Sequence, residues 1–253
     1  MRIASWNVNS LRVRLPQVLE WLYESSVDIL ALQETKIQDE DFPTDEFIES
    51  GYHAVYSGQK TYNGVAILAK SKPSKPLTDV KDLDDPQRRI LAATVDGVRV
   101  INLYVVNGSE VGSEKYTYKL DWLKKVTSHI KSELKQHKKV VVLGDFNIAP
   151  DDRDVYDPDR WQDKILCSQK ERGALHDMLS LGLCDTFRQF DQKDDSFSWW
   201  DYRGGGFQRN HGLRIDLILA SESLSKTCQS STIDIVPRTW ERPSDHAPII
   251  AEF

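Results

Sequence analysis

Apolar residues recur along this chain with two periods. Short runs dense in β-branched residues, each of strand length, lie at 3–8, 28–33, 52–56, 65–69, 90–95, 98–105, 140–143, 215–220, 233–236 and 248–253. Three longer stretches follow the 3-4 spacing of an amphipathic helix. The first, 15–23, aligns Leu15, Val18, Leu19, Leu22 and Tyr23 and carries Pro16, expected in its first turn. The second, 113–136, aligns Tyr116, Leu120, Leu123, Val126, Ile130 and Leu134, with lysines opposite. The third, 170–181, aligns Leu175, Met178 and Leu179, with Gly182 placed to cap its end. Loops are expected at 58–63, 71–86, 108–113, 150–161 and 191–212. The last is long, and its aromatics (Phe197, Trp199, Trp200, Tyr202, Phe207) argue for a functional loop rather than a disordered one. No repeat or low-complexity linker interrupts the pattern, so one domain over 1–253 is expected. Strands mixed with helices predict an α/β (α+β) fold, two sheets packed together with helices outside.

Composition narrows the function classes. The longest apolar run, Val65 to Ala69, is far short of the roughly 20 residues a membrane helix needs, so no membrane partner is expected. The start of the chain shows no signal-peptide core, and Cys167, Cys184 and Cys228 fit neither a paired disulfide set nor a zinc spacing. The expected setting is the cytoplasm and the expected state a monomer. Lys and Arg number 33 against 39 Asp and Glu, a formal net charge of -6. Proteins that bind nucleic acid through bulk charge are usually basic. Nucleic-acid binding here would need a local basic patch, with the excess acid serving elsewhere, for instance on a metal.

The informative polar residues fall at the ends of expected strands. Asn7 lies in the first and Asn9 follows it. Glu34 closes 29–33, and Asp145 and Asn147 follow 140–143 across Gly144. Asp216 opens an otherwise apolar strand, and Asp245 and His246 precede the last one. Any one of these alone reads as a cap or an ion pair. Together they place several carboxylates beside segments that should be buried, where a charge is costly unless paired or metal-bound. All-oxygen donors suit Mg²⁺ or Mn²⁺ rather than zinc. Asp145 and Asn147 alternate and would face one side of a continuing strand. Asp245 and His246 are adjacent and would diverge, which makes Asp216 the expected partner of His246.

These segments as an ordered set resemble the exonuclease III family of the endonuclease/exonuclease/phosphatase superfamily. They are 5–12 (Ser-Trp-Asn-Val-Asn-Ser-Leu-Arg), 32–36 (Leu-Gln-Glu-Thr-Lys), 144–147 (Gly-Asp-Phe-Asn), 212–216 (Gly-Leu-Arg-Ile-Asp) and 244–248 (Ser-Asp-His-Ala-Pro). Gln87-Arg88-Arg89-Ile90 and the segment 197–203 narrow the likeness to the exonuclease III branch. The resemblance implies a four-layered α/β sandwich with the site at one end. It implies hydrolysis of phosphodiesters in duplex DNA, both 5′ to abasic sites and at 3′ ends, as in base excision repair. It implies a Mg²⁺ (or Mn²⁺) site drawn from Asn7, Glu34, Asp145, Asn147, Asp245 and His246, Glu34 being the principal ligand. Asp145 would activate water and Asn147 hold it. His246, oriented by Asp216, would stabilise charge on phosphorus, and Tyr104 would touch the scissile phosphate or assist the leaving group. Lys36, Arg89 and Asn107 would contact phosphates. Trp199, Leu213 and Ile215 would receive a flipped-out abasic sugar, and Arg203 would wedge into the duplex. The expected basic footprint is Lys36, Arg88, Arg89, Lys115, Lys119, Arg203, Arg209 and Arg214.

Two departures from the family pattern stand out. Val105-Val106 replaces a proline-containing step and is expected to loosen the loop carrying Asn107. The segment 151–167 is acidic where the family's site is bordered. The alternative functions are a superfamily phosphatase or phosphodiesterase on lipid or small-molecule phosphates, and a non-catalytic DNA-binding module.

Overall fold

The computed structural model describes residues 1–80, 82–83 and 85–253; of the expected loop at 71–86, Lys81 and Asp84 lie outside the described residues. The first half of the chain runs β1 (Arg2–Asn7), α1 (Leu11–Ser25), β2 (Ile29–Gln33), α2 (Thr44–Glu49), β3 (His53–Ser57), β4 (Val65–Ala69), β5 (Ser74–Leu77), β6 (Ile90–Val95), β7 (Val98–Tyr104) and α3 (Glu114–Gln136). The second half runs β8 (Val140–Asp145), α4 (Pro158–Trp161), α5 (Gln169–Leu179), β9 (Leu183–Asp185), β10 (Trp199–Trp200), β11 (Gly212–Leu213), β12 (Asp216–Ser221), α6 (Glu222–Ser225), β13 (Ser230–Ile233) and β14 (Ile249–Glu252). One six-stranded sheet has the order β13-β14-β1-β2-β4-β3 and the other β5-β6-β7-β8-β12-β9; β10 and β11 form a separate ribbon. Each large sheet is mixed, with one parallel pair: β1 with β2, and β7 with β8.

Strand alternation sorts the core into layers. Ile3, Ile29, Ala31 and Ile67 of the first sheet meet Val100, Val141, Leu143 and Ile218 of the second. The opposite face of the first sheet packs Trp6, Leu30 and Leu32 against Val18, Trp21 and Leu22 of α1. The opposite face of the second packs Ile101, Val142 and Leu219 against Leu123, Val126 and Ile130 of α3 and Leu175 and Met178 of α5. The result is helix, sheet, sheet, helix. Toward one end the inner filling turns polar. Gln33 donates to Asn102 Oδ1 (2.8 Å), and Asn102 Nδ2 donates across to the carbonyls of Leu32 and Ala66 (2.9 Å each). The same inner rows end in Asn7, Tyr104, Asp145 and Asp216, the last two directly paired in register.

Gly144 of the Gly-Asp-Phe-Asn motif is set by this packing. It lies opposite Leu103 of the parallel neighbour with φ 140°, and a Cβ there would sit 1.9 Å from the Leu103 carbonyl oxygen. Gly144→Ala is therefore expected to destabilise the fold by about 3 kcal/mol or more, since rigid backbone must move. Urea unfolding at matched m-value checks this.

Several expected elements are corrected. The strand at 233–236 is not there: β13 covers Ser230–Ile233, and Val236–Thr239 forms a 3₁₀ turn. Pairing of Ile233 with Ile249 ends the ladder, Pro237 cannot extend it, and Ile235 and Val236 are exposed. The first helix starts at Leu11, so Pro16 lies past the first turn. Its start hangs on the loop after β2, where Ser10 N donates to Glu34 O and Leu11 N to Thr35 O. The loop at 71–86 contains edge strand β5, in which Pro76 is tolerated. Among the described residues no helix is long and apolar enough to cross a membrane.

Candidate active site

The polar end of the inter-sheet layer is built from strand ends and the turns beyond them. Asn7, Tyr104, Asp145 and Asp216 come from β1, β7, β8 and β12. Glu34, Lys36 and Asn147 sit just past strand ends with φ of 52°, 54° and 49°, and Asn9 has φ 42°. Left-handed backbone at four non-glycine residues is held by surrounding hydrogen bonds, such as Thr35 N to Gly64 O and Lys36 N to Asn63 O. Such concentrated strain is typical of sites in which side chains are aimed rather than packed. Asp245 and His246 arrive on a loop clamped by Ser244, whose hydroxyl donates to Asn7 O (2.7 Å) and accepts from His246 N (3.2 Å).

Asn7 is the strut between two carboxylates: its Nδ2 donates to Glu34 Oε1 (3.2 Å) and Asp145 Oδ2 (2.9 Å). Glu34 also accepts from the Tyr104 hydroxyl (2.7 Å) and pairs with Lys36 Nζ (2.9 Å). Asp145 further accepts from the backbone N (2.9 Å) and Nδ2 (3.2 Å) of Asn147. His246 Nδ1 lies 2.9 Å from Asp216 Oδ2, and its Nε2 is 3.8 Å from Asp145 Oδ2. Ser198 Oγ donates to the same Asp216 oxygen (2.6 Å). Asp245 accepts from Asn9 Nδ2 (2.9 Å) and Trp199 Nε1 (3.1 Å).

Burial pushes the Asp145 carboxyl up to about 7, aided by the neighbouring Asp216 and Glu34 charges and opposed by His246 and Asn7. For Glu34, burial also acts upward, but the Lys36 charge and the hydrogen bonds from Lys36, Tyr104 and Asn7 outweigh it and hold it below the usual range. Burial would lower His246, yet Asp216 and Asp145 dominate and raise it to about 10. Tyr104 is held protonated by burial and by Glu34 and Asp145. Two carboxylates, two environments and opposite shifts separate a proton acceptor from a permanent charge.

The donor set fits a hard divalent cation. Asp145 and Asp216 offer carboxylate oxygens within 4.8 Å of each other. Asp216 Oδ1 is buried with no hydrogen-bond partner. Four carboxylates, Glu34, Asp145, Asp216 and Asp245, crowd this end of the layer, and most of the donors are oxygens.

The structure thus brings Asn7, Glu34, Lys36, Tyr104, Asp145, Asn147, Asp216, Asp245 and His246 together, with Asn107 joined through its Nδ2 to Asn147 Oδ1 (3.0 Å). Arg89 stacks over the Tyr104 ring at 4.6 Å. Trp199 pairs with Leu213, and Leu213 and Ile215 are buried in one cluster beside it. Arg203 stands in solvent on the glycine-rich loop. Two members of the expected basic footprint are elsewhere. Lys119 is fully buried on Glu171, and Arg214 is buried on Asp154 and Asp185, so neither is free to meet an anion. Lys119 lies on the apolar stripe of α3, where the spacing places core, and donates to Asn147 O (2.7 Å) and Asn107 O (3.1 Å).

That bond also answers the expected loosening at Val105-Val106. Both valines are buried, and Asn147 Nδ2 donates to Val105 O (3.0 Å), so the loop is held without a proline. Half of the aspartates of the acidic segment 151–167 are ion-paired, mostly to arginines from outside it. Asp151 pairs with Arg153, Asp152 with Arg172 and buried Asp154 with Arg188 and Arg214, while Asp157 caps α4. Asn147 meets Asp145 through a turn rather than a continued strand. Sequence reasoning missed Ser198, Ser244, Asn102 and Lys119 as supports. A serine or a helix-face lysine carries no sign of its role until the fold supplies the neighbour.

Comparison with known proteins places this geometry. Residues 4–246 match the profile of the Endonuclease/Exonuclease/phosphatase family. Exodeoxyribonuclease III of Haemophilus influenzae is 37% identical over 267 aligned residues covering 100% of both chains. The 3′ phosphatase NExo from Neisseria, solved bound to a product DNA hairpin, is 50% identical with a TM-score of 0.98, covering 100% of this chain and 99% of that one. An AP endonuclease from Archaeoglobus fulgidus is 38% identical with a TM-score of 0.96 over 100% and 99% of the two chains. A profile match across nearly the whole chain, a shared sandwich and a polar cluster at its end agree: this chain belongs to the endonuclease/exonuclease/phosphatase family.

Proposed function

We propose that this chain is a metal-dependent DNA-repair nuclease. It hydrolyses phosphodiesters in duplex DNA 5′ to abasic sites and at 3′ ends, uses Mg²⁺ or Mn²⁺, and acts as a monomer in the cytoplasm. The observation that carries the reading is the Asp145 carboxylate, buried, fixed by Asn7 and Asn147, and facing the Asp216–His246 pair across 3.8 Å. Relatives named for exodeoxyribonuclease and AP endonuclease activity support the DNA substrate.

The chain's own residues then divide the work. Asp145, with its affinity for protons raised into the neutral range, takes the proton of an attacking water. Asn147 Nδ2, already at Asp145, orients that water. His246, charged and locked by Asp216, presents Nε2 to the phosphoryl oxygens as negative charge builds. The Tyr104 hydroxyl, which donates to Glu34 Oε1 at 2.7 Å in the free site, turns to hydrogen-bond the departing oxygen without losing its proton, and that oxygen takes a proton from solvent to leave as a 3′-hydroxyl in abasic-site incision. Glu34 would be the principal carboxylate holding the cation, with Asp145 and Asp245 nearby. Asn7, whose amide spans Glu34 and Asp145, holds these two in register. A bound divalent cation supplies Lewis-acid stabilisation of the phosphoryl oxygens.

His246→Gln keeps a side chain of similar size but removes the positive charge. It is expected to lower kcat about 100-fold, within the range of losing one preorganised electrostatic donor, with KM little changed. Steady-state kinetics on an abasic-site duplex measures this.

The reading is tested by substrate choice. Labelled duplexes with an internal abasic analogue, a recessed 3′ end or a 3′-phosphate are compared with small aryl phosphate esters, using wild type and an Arg89→Glu/Arg203→Glu variant. Cleavage of DNA that falls at least 10-fold on charge reversal, with ester hydrolysis unmoved, supports a DNA enzyme. Turnover of small esters with no DNA cut by either protein overturns it in favour of a small-molecule phosphatase.

A further inference from the structure

The 3₁₀ turn Val236–Thr239 and the residue before it invert the usual pattern of burial. Ile235 and Val236 are 51% and 54% exposed, whereas Arg238 is 6% exposed. A buried guanidinium is costly unless its charge is paired and its donors are used. Arg238 makes no salt bridge among the described residues, and its Nε is buried with no hydrogen-bond partner. It lies instead among three rings of the long aromatic loop. Its Cζ is 4.9 Å from the Phe207 centroid and 5.7 Å from those of Trp200 and Tyr202. Its Nη1 donates to the Ser244 carbonyl. That carbonyl belongs to the loop that delivers Asp245 and His246. Five successive carbonyls of this loop are each held by a donor from elsewhere in the chain. Arg14 Nε holds Arg242 O (3.2 Å), the Tyr202 hydroxyl Pro243 O (2.7 Å), Arg238 Ser244 O, Trp200 N Asp245 O (3.1 Å) and Trp6 Nε1 His246 O (3.1 Å). Among these donors Arg238 alone is a buried charge. Ser244 Oγ in turn fixes Asn7 O and His246 N, so a shift at Ser244 passes to both sides of the cluster.

We infer that Arg238 is a positioning residue for the hydrolytic reaction: it fixes the Ser244 backbone against the aromatic loop and so aims Asp245 and His246. The inference rests on the nuclease reading above and deepens it. Packing alone does not call for arginine here. An apolar side chain of similar length fits among three rings without the cost of burying a charge and an unused donor. A planar guanidinium does what such a side chain cannot, stacking on rings by its face while donating to a carbonyl from its edge. Arg238 therefore acts through the two residues it holds in place, and not on the phosphodiester.

The test compares wild type with Arg238→Met, which keeps the contact with the rings but loses the charge and the donor, and with Arg238→Lys, which keeps a cationic donor. Steady-state kinetics on an abasic-site duplex with Mg²⁺ give kcat and KM. Fluorescence anisotropy in EDTA gives duplex affinity, and circular dichroism gives Tm. Arg238→Met should melt no lower than wild type, since a buried charge with an unused donor is gone. Its kcat should fall about 30-fold, within the roughly 100-fold that a misplacement of about 1 Å can cost, while duplex affinity stays within about twofold. Arg238→Lys should recover kcat to within about fivefold of wild type. An Arg238→Met protein that melts lower than wild type, or does not fold, shows a role in stability and overturns the inference. Unchanged kcat in Arg238→Met overturns it as well, whether or not affinity falls, and so does a loss of kcat that lysine does not restore. Wild type that cleaves no DNA overturns the nuclease reading and this inference with it.

Discussion

Asp145→Asn is expected to yield a folded protein whose cleavage rate on an abasic-site duplex is about 10⁴-fold lower, a loss of about 5 kcal/mol of transition-state stabilisation. The amide is nearly isosteric, so Asn7 and Asn147 stay close, but it cannot accept the proton of water. It also cannot balance His246, which lies 3.8 Å away. The same change should not weaken the fold. Burial and the charges of Asp216 and Glu34 push the Asp145 carboxyl up to about 7. The folded protein therefore binds this proton more tightly than the unfolded chain, and ionised Asp145 costs stability. That cost grows as pH rises from the ordinary carboxylate range through about 7. The variant escapes it, and its Tm at pH 8 in EDTA should equal or exceed that of wild type. A site that trades stability for function behaves in this way. A circular-dichroism melt and single-turnover kinetics on the same preparation check both halves.

Chelation should have an effect at least as large. Without a divalent cation, four carboxylates crowd the site, and among the described residues the ion pairs of Glu34, Asp145 and Asp216 are to Lys36 and His246. Cleavage in EDTA should fall by 10⁴ or more, returning with Mg²⁺ or Mn²⁺. Glu34→Gln removes the carboxylate that Lys36, Tyr104 and Asn7 hold ionised, and should raise the Mg²⁺ concentration for half-maximal activity at least 10-fold. Binding measured by titration calorimetry with Mn²⁺ gives a readout apart from turnover. Heat of binding unchanged in Glu34→Gln would assign the cation to other residues.

The chemistry of the site was more legible in the sequence than its scaffolding. Carboxylates at strand ends stand out because burial makes them costly, and period-two alternation extends the inner rows to Asn7, Asp145 and Asp216. The pairing of His246 with Asp216 followed from the divergence of adjacent side chains, and the structure brings those two atoms to 2.9 Å. The family resemblance puts Lys119 and Arg214 in the DNA footprint, and nothing in the sequence marks them as buried. Only the fold brings Glu171 and Asp154 beside them. Short or irregular elements escaped for related reasons. Helix α2 and strand β9 are too short to show a period, and β13 is set by pairing with β14 rather than by its own residues. The polar layer at Gln33 and Asn102 was invisible because each looks unremarkable until the second sheet faces it.

The most direct test incubates two labelled duplexes, one with an internal abasic analogue and one with a recessed 3′ end, with wild type plus Mg²⁺, wild type plus EDTA, and Asp145→Asn plus Mg²⁺. The account predicts cleavage by wild type with Mg²⁺, and its loss in both other arms. Cleavage that persists in EDTA or in the variant, or its absence from folded wild type with Mg²⁺, would contradict it.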